Sequence, residues 1–317
     1  MNKNKIYYLL KPLIRREVQI ALRRELISRK QDSLKDVWPI DQEAGKIPSG
    51  WEGWPAKKKF AVGLTHNVDT EKGQGTCHDL IDMEKNLGFR SSFHFVPEGY
   101  PVSSDIRRQL VKNGFEVGVH GLKHDGKLYS SKKCFQDMAL HINRYLKDWE
   151  SVGFRSPSMH HNLDWIGYLN IEYDASTFDT DPFEPQPDGM KTIFPFWVEG
   201  DAARRGYVEL PYTLPQDFTL FVLMKEETID IWKRKLDWIA EIGGMALILT
   251  HADYMSFSGM KLGPEEYPAE YYSQLLKYIK SKYDGQYWHA VPMDIARFWK
   301  KNRVESRIDQ QSIPREP

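Results

Sequence analysis

The sequence predicts an α/β protein in which parallel strands form a distorted β/α barrel of about seven strands, preceded by a helical arm. From residue 60 onwards, short apolar runs rich in β-forming residues alternate with longer helical patterns, which is typical of parallel strands covered by helices. The length of 317 residues fits one such barrel, and a hydrophobic share of 41% supplies a sizeable core. An open sheet has the same alternation, but about seven strands with helices on one side favour a barrel.

The order of the elements defines the barrel. Seven apolar runs are predicted as strands: 60–66, 91–96, 115–119, 152–155, 207–210, 245–250 and 287–291. Between several of them, six stretches are predicted as helices: 76–87, 103–113, 132–149, 228–242, 266–282 and 292–301. The barrel is therefore assigned to residues 60–302, followed by a polar tail over residues 303–317.

An N-terminal arm, residues 1–45, differs in charge from the rest of the chain. Residues 1–30 contain nine basic and two acidic residues, hence a net charge of +7, whereas the whole chain is neutral. In a helix, one face would collect the apolar residues Ile14, Val18, Ala21 and Leu22. We expect this basic amphipathic helix to dock its apolar face on the barrel, the alternative being contact with a membrane surface. A Gly-, Pro- and Trp-rich connection over residues 46–59 follows.

Composition excludes or disfavours several classes of protein. A neutral chain with 44 basic and 44 acidic residues gives no indication of a nucleic-acid partner. The two cysteines, Cys77 and Cys134, match no metal or redox motif and suit a reducing compartment. No apolar run reaches the ~18 residues of a membrane span, and Lys11, Arg15 and Arg16 interrupt the N-terminal apolar residues that a signal peptide would need. These features predict a cytoplasmic protein, with membrane association through the arm as the open alternative.

Polar side chains recur where successive predicted strands end, which is where barrel enzymes carry their active groups. The first strand ends in Asn67 and Asp69, which are two residues apart and so share one side of an extended chain. The third strand is followed by His120 and His124. Asp69 and the two histidines together supply three ligands and leave coordination positions open, the pattern of a catalytic metal site. Alone, two histidines four residues apart are more often structural.

Three further strand-end residues each have a structural and a catalytic interpretation. His251 is either a histidine bonded to backbone or a general acid near its natural pKa. Asp174 is either a turn residue or the carboxylate that orients His251. Arg155 is either part of a surface ion pair or the partner of a carboxylate in the site. The sequence contains no GxSxG, GxxxxGKS/T or HExxH motif, which removes the common alternatives.

Five short motifs, in chain order, resemble those of the polysaccharide deacetylases, the NodB-type domain of carbohydrate esterase family four. The first is "THNVD", which is similar to the Thr-aromatic-Asp-Asp motif in the variant that spaces its acidic positions by one residue. The others are "HGLKH" for His-x-x-x-His, "RSP" for Arg-x-Pro, "DAS" for Asp-x-Ser and "LTH" for Leu-x-His. The motifs span residues 64–251 and leave the arm unexplained.

The resemblance implies a NodB-type barrel and an enzyme that removes acetyl groups from an N-acetylated sugar. It implies one divalent ion, zinc first and cobalt, nickel, iron or manganese as alternatives, held by Asp69, His120 and His124. A cytoplasmic location would favour a precursor linked to a nucleotide or a lipid over a finished wall polymer.

The resemblance also assigns the remaining roles. His251, held by Asp174, would protonate the leaving amine, and Arg155 would pair with a base carboxylate. The backbone N–H of Ser158 would help to hold the oxyanion.

The sequence departs from the family pattern at two positions. The fourth motif usually ends in Trp, and Asp181 stands there. The position of the base carboxylate is Asn67, which keeps the shape of Asp but does not accept a proton at neutral pH. The amide has three interpretations: an introduced change, a natural protein that binds sugar without cleaving it, or an enzyme whose base is another group such as Asp179. The sequence thus predicts a deacetylase-like hydrolase that is slow or inactive as written, with a non-catalytic metal- and sugar-binding protein as the alternative.

Overall fold

The structure is a computed structural model that describes residues 16–259 and 261–302. Its helices, α1 to α8 in chain order, are Arg16–Gln31, Glu71–Leu87, Ser104–Lys112, Lys132–Asp148, Leu163–Ile166, Asp230–Ile242, Ala269–Lys282 and Pro292–Asn302. Its strands, β1 to β11, are Phe60–Val68, Ser92–Phe95, Glu116–His120, Gly153–Arg155, Tyr173–Asp174, Phe196–Val198, Tyr207–Glu209, Met245–His251, Met255–Ser256, Tyr267–Pro268 and Tyr287–His289. A single π-helix covers Phe218–Met224.

Nine of the strands form one curled sheet around β1. On one side, residues 61–67 of β1 pair with β8, and on the other side β1 pairs first with β11 and then with β2. From β2 the order continues through β3, β4, β5 and β7, all parallel, to the antiparallel β6. After β7, Thr213 donates its N–H to Leu247 and its hydroxyl to Met245, both on β8. These bonds bring the far end of the sheet back to β8, so the predicted fold class, a distorted β/α barrel, is confirmed.

All seven predicted strands belong to this sheet, and two short strands are additional. β5 and β6 have two and three residues, which is too short to give the alternating pattern on which strand prediction depends. The central strands β1 and β8 are buried along their whole length, as strands of a parallel sheet covered by helices must be. At their contact a Cβ on Gly63 would lie 2.7 Å from the side chain of Leu247, so a larger residue there would require that side chain to move.

Helix α1 packs on the π-helix, but through a different face from the one the sequence predicts. Its buried residues include Ile20 and Ile27, which contact the Phe218–Met224 segment, whereas Val18 and Leu22 are 48% and 55% exposed. The prediction that this face docks on the barrel is therefore wrong for Val18, Ala21 and Leu22, and Ile14 lies outside the described residues. Contact of this face with a membrane surface stays a prediction. No helix in the described part of the chain combines the length and the apolar character needed to cross a bilayer.

Candidate active site

The site lies where the parallel strands β8, β1, β3 and β4 end, because the carboxyl ends of parallel neighbours meet at one edge of the sheet. β1 contributes Asn67 and, one residue beyond its end, Asp69. His120, Arg155 and His251 are the last residues of β3, β4 and β8. The structure therefore brings these predicted residues to one edge of the barrel.

Asp69, His120 and His124 form a group that could hold a metal ion, with their ligand atoms all within 4.8 Å of one another. The two oxygens of Asp69 face different rings: Oδ1 lies 3.3 Å from His120 Nε2, and Oδ2 lies 3.8 Å from His124 Nε2. His120 Nδ1 lies 3.0 Å from the carbonyl oxygen of Arg155. Because that carbonyl only accepts, Nδ1 carries the proton and Nε2 presents its lone pair to the site.

The polar atoms of this group fit a cation. Asp69 Oδ1 and His120 Nε2 are buried and have no hydrogen-bond partner among residues 16–259 and 261–302, an arrangement that is costly unless something satisfies both atoms. Burial alone would raise the pKa of Asp69, but the imidazoles of His124 and His120 outweigh it and hold the pKa below its usual value. One ionised carboxylate and two imidazoles form the donor set of a catalytic divalent metal site. The side chain of His124 is about a third exposed, so the group is open to solvent on that side.

Asp253 fixes the backbone that carries Asp69, a role that the sequence did not reveal. Its Oδ2 accepts from the N–H of Asp69 at 2.8 Å and its Oδ1 from the hydroxyl of Thr70 at 2.5 Å. A Cβ on Gly73 would lie 2.3 Å from Oδ2, so the first turn of α2 needs glycine to admit this carboxylate. Burial, together with the charge of Asp69, raises the pKa of Asp253 to about 6. The only signal for this residue was its position two residues after His251 at the end of β8.

His251 is oriented by Asp217, and the prediction that Asp174 orients it is wrong. Asp217 Oδ1 lies 2.7 Å from His251 Nδ1, and Oδ2 accepts the backbone N–H of His251 at 2.7 Å and the hydroxyl of Tyr267 at 3.0 Å. Burial would lower the pKa of His251, but the Asp217 carboxylate more than offsets it and raises the pKa to about 9. Asp217 does not directly follow the end of a predicted strand, so its position in the sequence gave no signal for this role.

Asp174 instead belongs to a buried carboxyl pair under the loop after β5. It accepts the hydroxyl of Ser176 at 2.6 Å and the backbone N–H of the same residue at 3.2 Å. Its neighbour Glu209, directly opposite in the sheet, accepts from the N–H and hydroxyl of Thr177. Burial raises the pKa of both acids, and the charge of Asp174 raises that of Glu209 further. The pair shapes the loop and has no hydrogen bond to His251.

Asn67 lies between Arg155 and His251. Arg155 Nη1 donates to Asn67 Oδ1 at 3.3 Å and to the Thr65 hydroxyl at 2.8 Å, and Nε donates to the Ala175 carbonyl at 2.7 Å. Asn67 Nδ2 is then left facing His251 Nε2 at 3.3 Å. The buried guanidinium has an unpartnered Nη2 and no carboxylate within 4 Å among the described residues, and burial lowers its pKa to about 10.

An amide satisfies both neighbours only when the His251 ring is neutral, because Nε2 then has a lone pair to accept from the amide N–H₂. Arg155 only donates, so it takes the single oxygen of Asn67, and the amide N–H₂ then points at His251. That contact favours a neutral ring, whereas Asp217 favours the imidazolium, which has a proton on Nε2 to donate. A carboxylate at position 67 would offer one oxygen to each neighbour. The geometry therefore suits Asp better than Asn.

The remaining predicted residues lie near the site without joining it. Asp179 forms a buried ion pair with Lys235 and, in the part of the chain that the structure describes, has no hydrogen bond or ion pair to Asn67 or His251. Burial raises the pKa of Asp179 to about 6, but its engagement with Lys235 argues against a role as the base. Ser158 lies in the turn after β4 with φ +56°, and its part in holding an oxyanion stays a prediction.

Asp181, where the resemblance expects Trp, is buried. The hydroxyl of Tyr212 lies 3.0 Å from Asp181 Oδ2 and 2.7 Å from Glu184 Oε1. Burial, with the charge of Glu184, raises the pKa of Asp181 to about 8.

Several solved structures have a fold similar to that of this chain. No protein-family model and no curated protein matches the chain. Among solved structures, a Mycobacterium smegmatis protein assigned as a polysaccharide deacetylase aligns with a TM-score of 0.66 and 16% identity, over 86% of this chain and 99% of its own. The PuuE allantoinase and a Pseudomonas aeruginosa PAO1 protein assigned as a polysaccharide deacetylase each align with a TM-score of 0.58 and 16% identity. Both alignments cover 78% of this chain, and 92% and 93% of the respective neighbours. The chain therefore has the fold of the polysaccharide deacetylases.

Proposed function

We propose that the protein is a metal-dependent hydrolase of the N-deacetylase type, whose substrate is an N-acetylated sugar or glycan precursor carried on a lipid or a nucleotide. The observation that carries the proposal is the grouping of Asp69, His120 and His124 beside a carboxylate-held His251, at the strand ends of a deacetylase fold. Zinc suits this donor set best, and cobalt, nickel, iron or manganese are alternatives. Both cysteines are free, which supports a cytoplasmic, reducing location.

A divalent ion held by Asp69, His120 and His124 would supply Lewis-acid polarisation of the acetyl carbonyl and would acidify water. In the overall hydrolysis, the oxygen of one water molecule bonds to the acetyl carbon, the C–N bond breaks, and the leaving nitrogen gains a proton. His251 is the proton donor, because Asp217 fixes its Nδ1 and leaves Nε2 toward the site. Arg155, a buried cation at the same edge, holds the side chain at position 67 through its Nη1 donation to Asn67 Oδ1.

Asn67 limits this reaction because its amide oxygen is too weak a base to take the proton of the water. The loss of a general base typically lowers the rate by ~10²–10⁴. We therefore propose a slow enzyme. The same residue favours a second candidate function, a protein that binds a metal ion and an N-acetylated sugar without cleaving it.

One experiment tests the proposal and separates the two candidates. Purified protein is analysed for bound metal, and then acetate release is measured from N-acetylglucosamine oligosaccharides and from UDP-N-acetylglucosamine, with the protein as it is and with Asn67→Asp. One metal ion per chain and acetate release by either form supports the hydrolase. Metal and sugar binding with no release by either form supports the non-catalytic candidate. Absence of stoichiometric metal would overturn both.

A further inference from the structure

Helix α1 has two apolar faces, and the described part of the chain covers one of them. Ile20 and Ile27 are buried against the π-helix. On another face of the same helix, Val18, Leu22 and Leu26 are 48%, 55% and 57% exposed. These three are spaced by four residues and so form one stripe along the helix, which we call the outer stripe. Three of the eight exposed large aliphatic residues in the described chain are thus on this one helix.

The outer stripe is held rigidly. Arg24 Nε donates to the carbonyl of Val222 at 2.9 Å, and Arg24 Nη2 donates to the carbonyl of Pro264 at 3.2 Å. At the start of the helix, Arg16 makes a two-point contact with Glu265 at 2.8 and 3.0 Å. These bonds fix the rotation of α1 on the barrel, so the helix cannot turn to bury the stripe without breaking them.

The charge around the outer stripe is positive. Helix α1 carries five basic residues and two acidic ones, and residues 1–15 carry four basic residues and no acidic one. Arg29 and Lys30, both exposed, lie at the end of the helix beyond Leu26. An exposed apolar stripe within a basic segment complements an anionic lipid surface. Residues 1–15 are themselves apolar and basic, so their charge has the same sign as that of α1 and does not complement it.

We propose that the outer stripe of α1 inserts into the interface of an anionic phospholipid membrane, with Arg29 and Lys30 contacting the lipid headgroups. Deeper in the same region, the guanidinium of Arg23 lies 5.1 Å from the centre of the Phe218 ring. The Phe218 ring lies 4.9 Å from that of Tyr254, which lies 5.1 Å from the ring of His251. Docking through α1 thus holds the candidate active site at the membrane.

This position has a consequence for the substrate that depends on the proposed function. A site three contacts away from a membrane-bound helix, through the rings of Phe218 and Tyr254, is placed to act on a sugar carried by a lipid. Among the two carriers considered above, the structure therefore favours the lipid over the nucleotide.

The test is co-sedimentation of the full-length protein with vesicles of equal parts phosphatidylcholine and phosphatidylglycerol, and with vesicles of phosphatidylcholine alone. The protein should bind the anionic vesicles, and the triple substitution Val18→Ser, Leu22→Ser, Leu26→Ser should lower its partition on the order of a hundredfold, because three aliphatic side chains no longer enter the interface. The matched control is Val111→Ser with Leu140→Ser, two aliphatic residues that are 61% and 64% exposed on other helices. The control should bind like the parent.

A second substitution tests the electrostatic part. Arg29→Gln with Lys30→Gln should weaken binding to anionic vesicles and reduce its dependence on salt. Thermal unfolding of all variants shows that the fold is intact, which is expected because the changed side chains are exposed. Binding by the triple variant equal to that of the parent, or no binding by the parent, overturns the proposal.

The outcome is independent of the proposed enzyme activity. Vesicle binding does not need metal or substrate, so it should persist in His120→Ala and in the presence of a chelator. If size-exclusion chromatography shows that the outer stripe joins two copies of the chain, and vesicles do not compete, the membrane is not its partner and the proposal fails.

Discussion

Replacing Asn67 by Asp tests the chemistry of the site directly. The new carboxylate would stand where the amide now does, with Arg155 Nη1 and His251 Nε2 each 3.3 Å from the amide group. One of its oxygens would accept from the guanidinium and the other from the imidazolium, which removes the conflict that the amide leaves. The substitution also adds a group that takes up the proton of an attacking water.

The structure sets the expected sizes of two effects. Two unit charges 3.3 Å apart attract by about 5 kcal/mol at an effective dielectric of about 20, and burial of the new carboxylate costs several kcal/mol. The two contributions nearly cancel, so we expect the free energy of unfolding to change by no more than about 2 kcal/mol. The rate of acetate release should increase by ~10²–10⁴, which is the usual contribution of a general base.

The assay is acetate release from N-acetylated sugars by the parent and by Asn67→Asp at equal metal occupancy. The control is Asn67→Ser, which removes the amide and adds no carboxylate, so it reports any gain that comes only from a changed cavity. Equal and measurable rates in parent and Asn67→Asp would refute the reasoning, because position 67 would then not be the place of the base. A similar gain in Asn67→Ser would refute it for another reason, since the carboxylate would not be needed.

Three further predictions concern the groups around Asn67. His120→Ala should abolish stoichiometric metal, measured by elemental analysis, because it removes a buried ligand; full occupancy would show that the ligand set is wrong. His251→Ala, made in the Asn67→Asp background, should lower turnover by ~10²–10⁴ while metal content stays, and an active variant would remove this acid from the mechanism. The pKa of His251 is raised from 6.5 to about 9, so its stabilising pair with Asp217 is fully present below about pH 6.5 and is lost as the pH rises through about 9. Asp217→Asn in the metal-free protein should therefore cost about 3 kcal/mol more at pH 6 than at pH 10, measured by denaturant unfolding, and a loss independent of pH would contradict the pairing.

The sequence predicted the barrel because its long strands are buried on both faces and give continuous apolar runs. It missed β5 and β6, which contain two and three residues and are held in place by their neighbours in the sheet rather than by a pattern of their own. The sequence also predicted the wrong face of α1 to dock on the barrel. Both faces of this helix are apolar, and the choice between them is made by tertiary contacts such as that of Arg24 with Val222, which sequence periodicity does not contain.

The residues of the site were predictable where they follow a strand directly. Asn67, His120, Arg155 and His251 are strand residues, and parallel pairing brings strand ends together whatever their separation along the chain. Asp217 was not predictable in this way because it precedes the π-helix and reaches His251 through the fold.

A carboxylate at position 67 would remove two unfavourable contacts of this site. A buried guanidinium without a carboxylate within 4 Å is costly, and among the described residues Arg155 has the neutral oxygens of Asn67, Thr65 and Ala175 as its acceptors. The imidazolium that Asp217 favours at His251 meets the N–H₂ of the same amide. Both unfavourable contacts, of Arg155 and of a protonated His251, involve the amide group of Asn67, and a carboxylate in its place would remove both. The side chains of Asp69, His120 and His124 have no hydrogen bond to that group among the described residues, so under the proposed function a chain with Asn67 would still bind metal and would lack the acceptor for the proton. Asn67→Asp is therefore the substitution that distinguishes the proposed hydrolase from the proposed binding protein.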